Sequence, residues 1–294
     1  MARGIRRHPF HDTAIALFFI VPSLIGFIIF FAFPLLRGLY LSFTDWDLLG
    51  PANLVGFDNY AKLLQDDEFW NSLWVTVQYV LWNIPIQTVL ALVIAVVMVK
   101  VRGSNLLRGA LLLPWLLPNV VVALLAMVIL DPAIGILNEG FRHLGLGTFN
   151  FLTTTELALP SIAFINIWKY MGYTALIVFA GLQNIPREID EAALIDGASG
   201  WATFRKITLP LLRPVMAFVI TTSVIGSFQI YDTVAVATRG GPANATWVMN
   251  FFIYKNAFEG YQMGYATAAS MLLFLILLGV SFAQMRLMRA DQAD

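Results

Sequence analysis

Residues 184–210 read NIPREIDEAALIDGASGWATFRKITLP, a polar stretch between two long apolar runs. We call this stretch the knob. Asn184 is suited to the N-cap of a helix, and Pro186 to its first turn, where a missing N–H costs nothing. Acidic residues in the early turns are favoured by the helix dipole. The knob carries seven charged side chains: Arg187, Glu188, Asp190, Glu191, Asp196, Arg205 and Lys206.

The second half of the knob predicts another short helix. Gly197 offers the backbone freedom that ends the first helix. Ser199 is predicted to cap the second helix, on which Trp201 and Phe204 are spaced i, i+3. Pro210 is predicted to stop it. The knob is therefore expected to be a compact helix–turn–helix on one side of a membrane. An ordinary loop with Arg187 and Glu191 as an i, i+4 pair remains an alternative at this point.

Composition excludes an ordinary soluble enzyme. The chain has 294 residues, of which 59% are apolar and 12% charged, and its mean hydropathy is +0.75. Soluble domains average about 45–50% apolar and roughly 25% charged residues. The formal net charge is zero, so a basic surface for nucleic acid is not expected. The absence of cysteine excludes disulfides and thiol chemistry, and three scattered histidines do not predict a metal site.

Six apolar runs predict a single transmembrane domain. About twenty apolar residues cross a bilayer once, and each run is long enough to do so. Pro34, Pro85, Pro114 and Pro118 are predicted to kink or end helices. The predicted spans are 13–36, 72–99, 109–130, 157–183, 212–237 and 261–286, with the knob between the fourth and the fifth.

The distribution of basic residues predicts the orientation. Six spans place both termini and the knob on one side, which carries twelve Lys and Arg residues against five on the other side. The side with more basic residues normally faces the cytoplasm. The twelve are Arg3, Arg6, Arg7, Lys100, Arg102, Arg108, Arg187, Arg205, Lys206, Arg213, Arg286 and Arg289, and the five are Arg37, Lys62, Arg142, Arg239 and Lys255.

The knob resembles a known signature. Glu191-Ala192-Ala193, then Gly197, then Ile207-x-Leu209-Pro210 match the EAA motif of ABC importer permeases without a gap or insertion. The flanking residues 180–183 and 195–198 resemble the carbohydrate-uptake, maltose-type branch. Residues Thr238–Asn244 read TRGGPAN and predict a turn-forming loop, in which Arg239 departs from the all-glycine run that related permeases tend to have before the proline. The resemblance implies a type I ABC importer permease: an all-α membrane protein of six transmembrane helices with a cytoplasmic helix–turn–helix coupling loop.

The resemblance also implies a function and partners. The chain would be the permease subunit of an ATP-driven importer of a sugar, oligosaccharide or related polyol, in a bacterial or archaeal cytoplasmic membrane. Expected partners are a second related permease, two cytoplasmic ATPases, an extracytoplasmic substrate-binding protein and membrane lipid. The sequence has no P-loop, so ATP and Mg are expected on the ATPases, with no cofactor and no catalytic or metal residue here. The expected coupling residues are Glu188, Asp190, Glu191, Ala192, Ala193, Asp196, Gly197 and Trp201.

Two charges inside apolar runs indicate a substrate path. Lys169 and Asp232 lie within the fourth and fifth spans, where a charge is costly and usually faces a cavity or a partner. Structural pairing of Lys169 with a neighbouring helix remains an alternative. Polar residues of the second and third spans, Asn83, Gln87 and Asn119, are expected to form helix–helix hydrogen bonds. The predicted path comprises Trp168, Lys169, Tyr173, Gln229, Tyr231 and Asp232.

Two other functions are compatible with a multi-pass membrane protein. A gradient-driven secondary transporter would use midplane acids and broken helices in repeated halves, and the sequence predicts neither. A membrane scaffold or receptor would not require Glu191 and Gly197 at their spacing. Co-purification with an ATPase separates these alternatives from an ATP-driven importer.

Overall fold

The chain is almost entirely helical over residues 9–101 and 105–290, which the computed structural model describes. Of the basic residues used to predict orientation, Arg3, Arg6, Arg7 and Arg102 lie outside this range. Three π-helical turns occur at Ile28–Ala32, Phe204–Thr208 and Lys255–Glu259. The helices are α1 Pro9–Phe27, α2 Phe33–Leu41, α3 Asp58–Leu64, α4 Asp67–Lys100, α5 Asn105–Leu116, α6 Asn119–Ile129, α7 Ile136–His143, α8 Thr155–Gln183, α9 Arg187–Ile195, α10 Gly200–Thr203, α11 Leu209–Leu211, α12 Arg213–Phe228, α13 Asp232–Ala237, α14 Met249–Tyr254 and α15 Met263–Ala290.

Within the described residues, five helical stretches are long and apolar enough to cross a membrane, and α5 with α6 makes a sixth if this bent pair counts as one span. The prediction of an all-α membrane protein is therefore confirmed. Two of these stretches are not continuous helices. The axes of α5 and α6 differ by 95°, and residues 229–231 separate α12 from α13.

Pro118 explains the break between α5 and α6. Proline has no N–H to donate, and it disfavours helical dihedrals in the residue before it. Pro118 adopts φ −56° and ψ 142° directly before α6, so this predicted helix end is confirmed. Pro114 and Pro85, by contrast, lie inside α5 and α4.

The described residues divide into two compact units. The first contains the chain up to Gln65 together with Lys255–Leu272. Within it, the buried Asn59 amide donates hydrogen bonds to the carbonyls of Ser42 (2.9 Å) and Thr44 (2.8 Å). These bonds attach α3 to the end of α2. Gly264 lies so close to the Thr44 carbonyl that a Cβ there would overlap it.

The second unit, Asp66–Tyr254 with the residues from Leu273 onward, is built around α8. In the most apolar stretch of α8, 61% of the residues are buried, against 28% in α4. One apolar cluster joins α8 to the first half of α4 and to α6, around Tyr79 and Ile162. Another joins it to the second half of α4 and to α12, around Met98 and Val178. The space between these clusters holds the polar side chains described next.

Candidate functional site

The first helix of the knob begins later than the sequence predicted. α9 starts at Arg187, and Pro186 occupies its N-cap position. The prediction that Asn184 caps this helix is wrong because α8 extends to Gln183. Asn184 therefore has helical dihedrals at the end of α8, where its N–H donates to the Gly181 carbonyl at 3.2 Å.

The turn between the two knob helices forms as predicted. Gly197 has φ +75°, a conformation that costs glycine little. Its N–H donates to the Leu194 carbonyl at 3.1 Å, and the Ala198 N–H donates to the Ala193 carbonyl at 2.9 Å. The Ser199 hydroxyl accepts a bond from the Ala202 N–H at 3.3 Å, which confirms it as the cap of α10.

Pro210 does not end the second knob helix, so that prediction is wrong. The helix widens into the π turn Phe204–Thr208 and continues through α11, where Pro210 lies in the first turn. Proline is tolerated in a first turn because its missing N–H would have no partner there. Only Leu212 separates α11 from α12, and its dihedrals are also helical.

The eight predicted coupling residues lie together on the knob, and all except Ala193 are exposed. Ala193 is buried, so its side chain does not face outward. Three large apolar side chains of the knob are exposed: Leu194 is 67%, Ile195 87% and Trp201 70% accessible. Trp201 stacks on Phe204 with ring centroids 5.7 Å apart. Clustered exposed apolar side chains on a polar loop are typical of a protein-docking surface.

A cavity of about 260 Å³ lies within the second unit, lined by residues of α4, α5, α8 and α12, by the first residue of α6, and by the segment that leads into the start of α13. Four of the six predicted path residues line it: Tyr173, Gln229, Tyr231 and Asp232. Trp168 does not line this cavity. It contributes to a separate apolar depression beside Phe164, between α6 and α8.

Lys169 does not line the cavity. It is buried, and its Nζ donates to the Leu117 carbonyl at 2.8 Å and to Asn119 Oδ1. The Asn119 amide donates in turn to Asp232 Oδ2 at 2.7 Å. The break at Pro118 leaves carbonyls at the end of α5 without helical partners, and the ammonium binds one of them. This network joins α8, both halves of the broken span and the start of α13.

A second polar network crosses the cavity. The Asn83 amide donates to Ser227 Oγ at 3.0 Å and to Gln87 Oε1 at 3.3 Å. The Gln87 amide donates to Thr174 Oγ1 at 2.9 Å. The helix–helix hydrogen bonds expected of Asn83, Gln87 and Asn119 are therefore all present. Those of Asn83 and Gln87 join α4 to both α8 and α12.

The sequence interpretation missed several cavity residues. Trp115, which was not predicted, lines the cavity beside the predicted Tyr173, and the two rings are parallel, with centroids 4.6 Å apart and planes 7° apart. Small polar residues of α12, at 222, 223 and 227, also line it. Residues 223 and 227 are spaced i, i+4, as are 222 and Gly226, and Phe218 and Val219 precede 222 and 223 by the same interval. This spacing places all six on one helix face, and it could have been recognised in the sequence.

An all-helical chain with several apolar spans, a polar cavity among them and an exposed knob has the architecture of a membrane transport subunit. The family described as "binding-protein-dependent transport system inner membrane component" matches residues 87–288. The chain belongs to this family, and it is a multi-pass component of the membrane.

Proteins of known type resemble the chain over nearly its whole length. A probable ABC transporter permease protein of Pyrococcus horikoshii is 36% identical, over 94% of this chain and 95% of its own. The trehalose/maltose transport system permease protein MalF of Thermococcus litoralis is 30% identical, over 95% of both chains. A crystal structure of a bacterial ABC transporter involved in the import of the acidic polysaccharide alginate has 25% identity and a TM-score of 0.81, over 95% of this chain and 96% of that one.

Proposed function

We propose that this chain is the permease subunit of an ATP-driven importer that moves a sugar, oligosaccharide or related polyol across the cytoplasmic membrane. The observation that carries the proposal is the cavity, where hydroxyl and amide side chains lie beside the stacked Trp115–Tyr173 pair. Polar groups that converge in a pocket with aromatic walls are typical of small-molecule sites. Family membership and the sugar-transport names of relatives such as MalF support the same conclusion.

The knob is the coupling element in this proposal. A groove on a cytoplasmic ATPase receives its exposed side, which includes Ile195 and Trp201, as a helix-in-groove contact. The exposed Glu191 offers a carboxylate to a basic residue of the ATPase. ATP and Mg bind to two such ATPases, and closure of the ATPase pair moves the spans on either side of the knob.

The remaining assembly follows from the same proposal. A substrate-binding protein delivers the sugar from outside, and a second related permease completes the path through the membrane. The termini and the knob face the cytoplasm, as the distribution of basic residues predicts.

Reconstitution of the purified complex in liposomes tests the proposal. We expect uptake of a radiolabelled saccharide that requires the binding protein outside and ATP inside, and that persists when ionophores abolish all ion gradients. Uptake driven by an imposed proton or sodium gradient without ATP would instead establish the secondary transporter.

Cysteine accessibility tests the path separately, because the chain has no cysteine of its own. Single cysteines at Tyr173, Gln229 and Asp232 should react with a water-soluble thiol reagent in the resting or the ATP-bound complex. A cysteine at Trp168 should react more slowly, because the depression there is apolar. If the cysteines at all three cavity positions were inert in both states, the path would lie elsewhere.

A further inference from the structure

The short loop between α6 and α7 exposes apolar side chains at the end of a span. Ile134 is 78%, Ile136 75% and Leu137 36% accessible. We call these three residues the apolar patch. Gly135, between the two isoleucines, is buried, and a Cβ there would stand 2.5 Å from the Ile129 carbonyl oxygen. The loop is therefore pressed against the last turn of α6, with the patch on its outer side.

Asn138 ties α7 to the same end of α6. Its buried amide donates to the carbonyls of Leu130 at 3.3 Å and Asp131 at 3.1 Å. It also exchanges hydrogen bonds with the backbone of Phe149, whose N–H donates to Asn138 Oδ1 at 2.8 Å. A buried amide that is satisfied in this way holds its surroundings in one arrangement, so the position of α7 relative to α6 is fixed.

The surface of α7 divides into three sides, because successive residues of a helix are about 100° apart. Asn138 lies on the side attached to α6, and Ile136 and Leu137 lie on a second, apolar side. Arg142 lies opposite the apolar side, where it is exposed and forms an ion pair with Glu139. A helix with an apolar side and a charged side is typical of the surface of a membrane.

The neighbouring helix α8 shows the level at which the apolar patch lies. Its 29 residues are about 43 Å long, and a hydrocarbon core of about 30 Å centred on it leaves about 7 Å at each end. Leu159 lies about 6 Å from the start of α8 and hence at the edge of the core. Leu130, at the end of α6, belongs to the same buried apolar cluster as Leu159. The patch, held against this end of α6, therefore lies at the boundary between acyl chains and headgroups.

This level favours lipid as the neighbour of the apolar patch. Water is unfavourable because an exposed apolar side chain forgoes the free energy of burial. A soluble protein docks outside the headgroup layer, above the end of the span. Acyl chains are also expected around the exposed side chains of α6, of which Leu124 is 51% and Val128 60% accessible. Along the chain, the patch therefore follows directly from a surface that faces lipid.

We infer that the apolar patch inserts into the bilayer leaflet on the side away from the knob and anchors the end of α6 there. The knob follows the opposite end of α8, so the two lie at different membrane surfaces. The axes of α5 and α6 differ by 95°, so α5 does not carry α6 onward in its own direction, and an anchor at the far end holds α6 in place. Leu144, about 12 Å beyond Ile136 along the helix axis, lies outside the patch. The anchor goes beyond the proposed function, because it depends on neither the substrate nor ATP.

Fluorescence quenching in lipid nanodiscs tests the anchor, since the chain has no cysteine of its own. Single cysteines replace Ile134, Ile136 or, as the matched control, Arg142, and each carries the fluorophore NBD. The purified complex is placed in phosphatidylcholine nanodiscs without a substrate-binding protein. Phosphatidylcholine brominated on its acyl chains should remove most of the fluorescence at Ile134→Cys and Ile136→Cys and little at Arg142→Cys. Iodide in the aqueous phase should give the reverse order.

A second set of variants tests whether the isoleucines cause the insertion. Labelled Leu137→Cys is the reporter in the parent chain, in Ile134→Asn/Ile136→Asn and in Ile134→Leu/Ile136→Leu. We expect the asparagine pair to lose the quenching by brominated lipid and the leucine pair to retain it, because leucine restores the apolar area. The midpoint of thermal unfolding of each protein separates a lost anchor from a lost fold.

Two results would overturn the anchor. Iodide quenching as strong at both isoleucine positions as at Arg142→Cys, without quenching by brominated lipid, would place the patch in water. Protection from both quenchers, or protection from iodide that arises only when a substrate-binding protein is added, would make the patch a contact with protein. Either result leaves the proposed importer intact, because neither measurement involves uptake.

Discussion

Single residues decide how the knob turns and how the broken span is held. Gly197 turns the chain between two short helices with φ +75°, and Lys169 binds the carbonyl that Pro118 leaves exposed at the end of α5. The first residue acts through its lack of a side chain, and the second through a charge placed where charges are rare. Each role can be tested by one substitution.

Gly197→Asp should uncouple transport from ATP hydrolysis while the chain still folds and inserts. Among the described residues, no atom lies within 4 Å of where a Cβ would stand, so the substitution acts through backbone strain and contact with the ATPase. A left-handed conformation costs a non-glycine residue about 1–2 kcal/mol. Uptake and substrate-stimulated ATPase of purified complexes measure the effect, and Glu191→Lys should act in the same direction.

Gly145→Asp controls for strain alone. Gly145 has φ +74° and is equally open, but it lies in the loop after α7. Transport by this variant should stay near normal. Full uptake by Gly197→Asp, or an equal loss in both variants, would contradict a coupling role for Gly197.

Lys169→Met should lower uptake at near-normal complex yield and basal ATPase activity. The change leaves the partly buried Leu117 carbonyl without the Lys169 donor, which costs at most about 1–3 kcal/mol, and it removes one of the hydrogen bonds to Asn119. Because Asn119 also binds Asp232, Lys169→Met and Asp232→Asn should be non-additive. Uptake rates of the two single variants and the double variant give the interaction free energy between Lys169 and Asp232. Independent effects would mean that the two charges act separately.

At the scale of elements, much of the fold could be predicted and the breaks only in part. Hydropathy and length identified the apolar runs, and proline chemistry identified the end of α5. The second break, at residues 229–231, contains no proline or glycine, so local propensity gave no warning of it. The π turn before Pro210 was missed because a proline in a helical pattern normally ends the helix, whereas here the helix continues through α11.

The candidate site, like the fold, could be predicted only in part from the sequence. Depth in an apolar run singled out Lys169 and Asp232, but depth does not reveal which neighbour a side chain meets. Whether Lys169 faced a cavity or a helix end depended on the bend at Pro118, which brings the Leu117 carbonyl within 2.8 Å of its ammonium. Trp115 was missed because a tryptophan next to a proline near a helix end is equally typical of a membrane interface.

The contact between α5 and α8 depends on one glycine. A Cβ on Gly172 would overlap the Leu111 backbone carbonyl, so Gly172→Ala should force these helices apart. We expect destabilisation by about 1–3 kcal/mol, as for other overpacked sites, measured as a lower midpoint of thermal unfolding in detergent. Gly109→Ala on α5 is the control, because Gly109 is open and alanine favours helix. Equal midpoints for the two variants would show that the close contact contributes nothing.

At the scale of the whole molecule, the prediction concerns sidedness. Single cysteines replacing the exposed residues Leu144, after α7, and Ile195, in the knob, should label differently in intact cells. A membrane-impermeant maleimide should reach Leu144→Cys from outside and Ile195→Cys only after permeabilisation. The opposite pattern would reverse the orientation inferred from the basic residues, and with it the docking of the knob on an ATP-hydrolysing partner.

The helical continuity between the knob and α12 has a mechanical consequence. From Ser199 to Phe228 the chain is almost continuously helical, and it packs against α8 at Gly181, where a Cβ would come within 2.9 Å of the Val215 side chain. At a rise of 1.5 Å per residue, Ser227 stands about 18 Å beyond Val215 along this segment. A tilt of about 10° would displace Ser227 by about 3 Å over that length. The Asn83–Ser227 hydrogen bond is 3.0 Å long, so a displacement of that size would break this contact between α4 and α12.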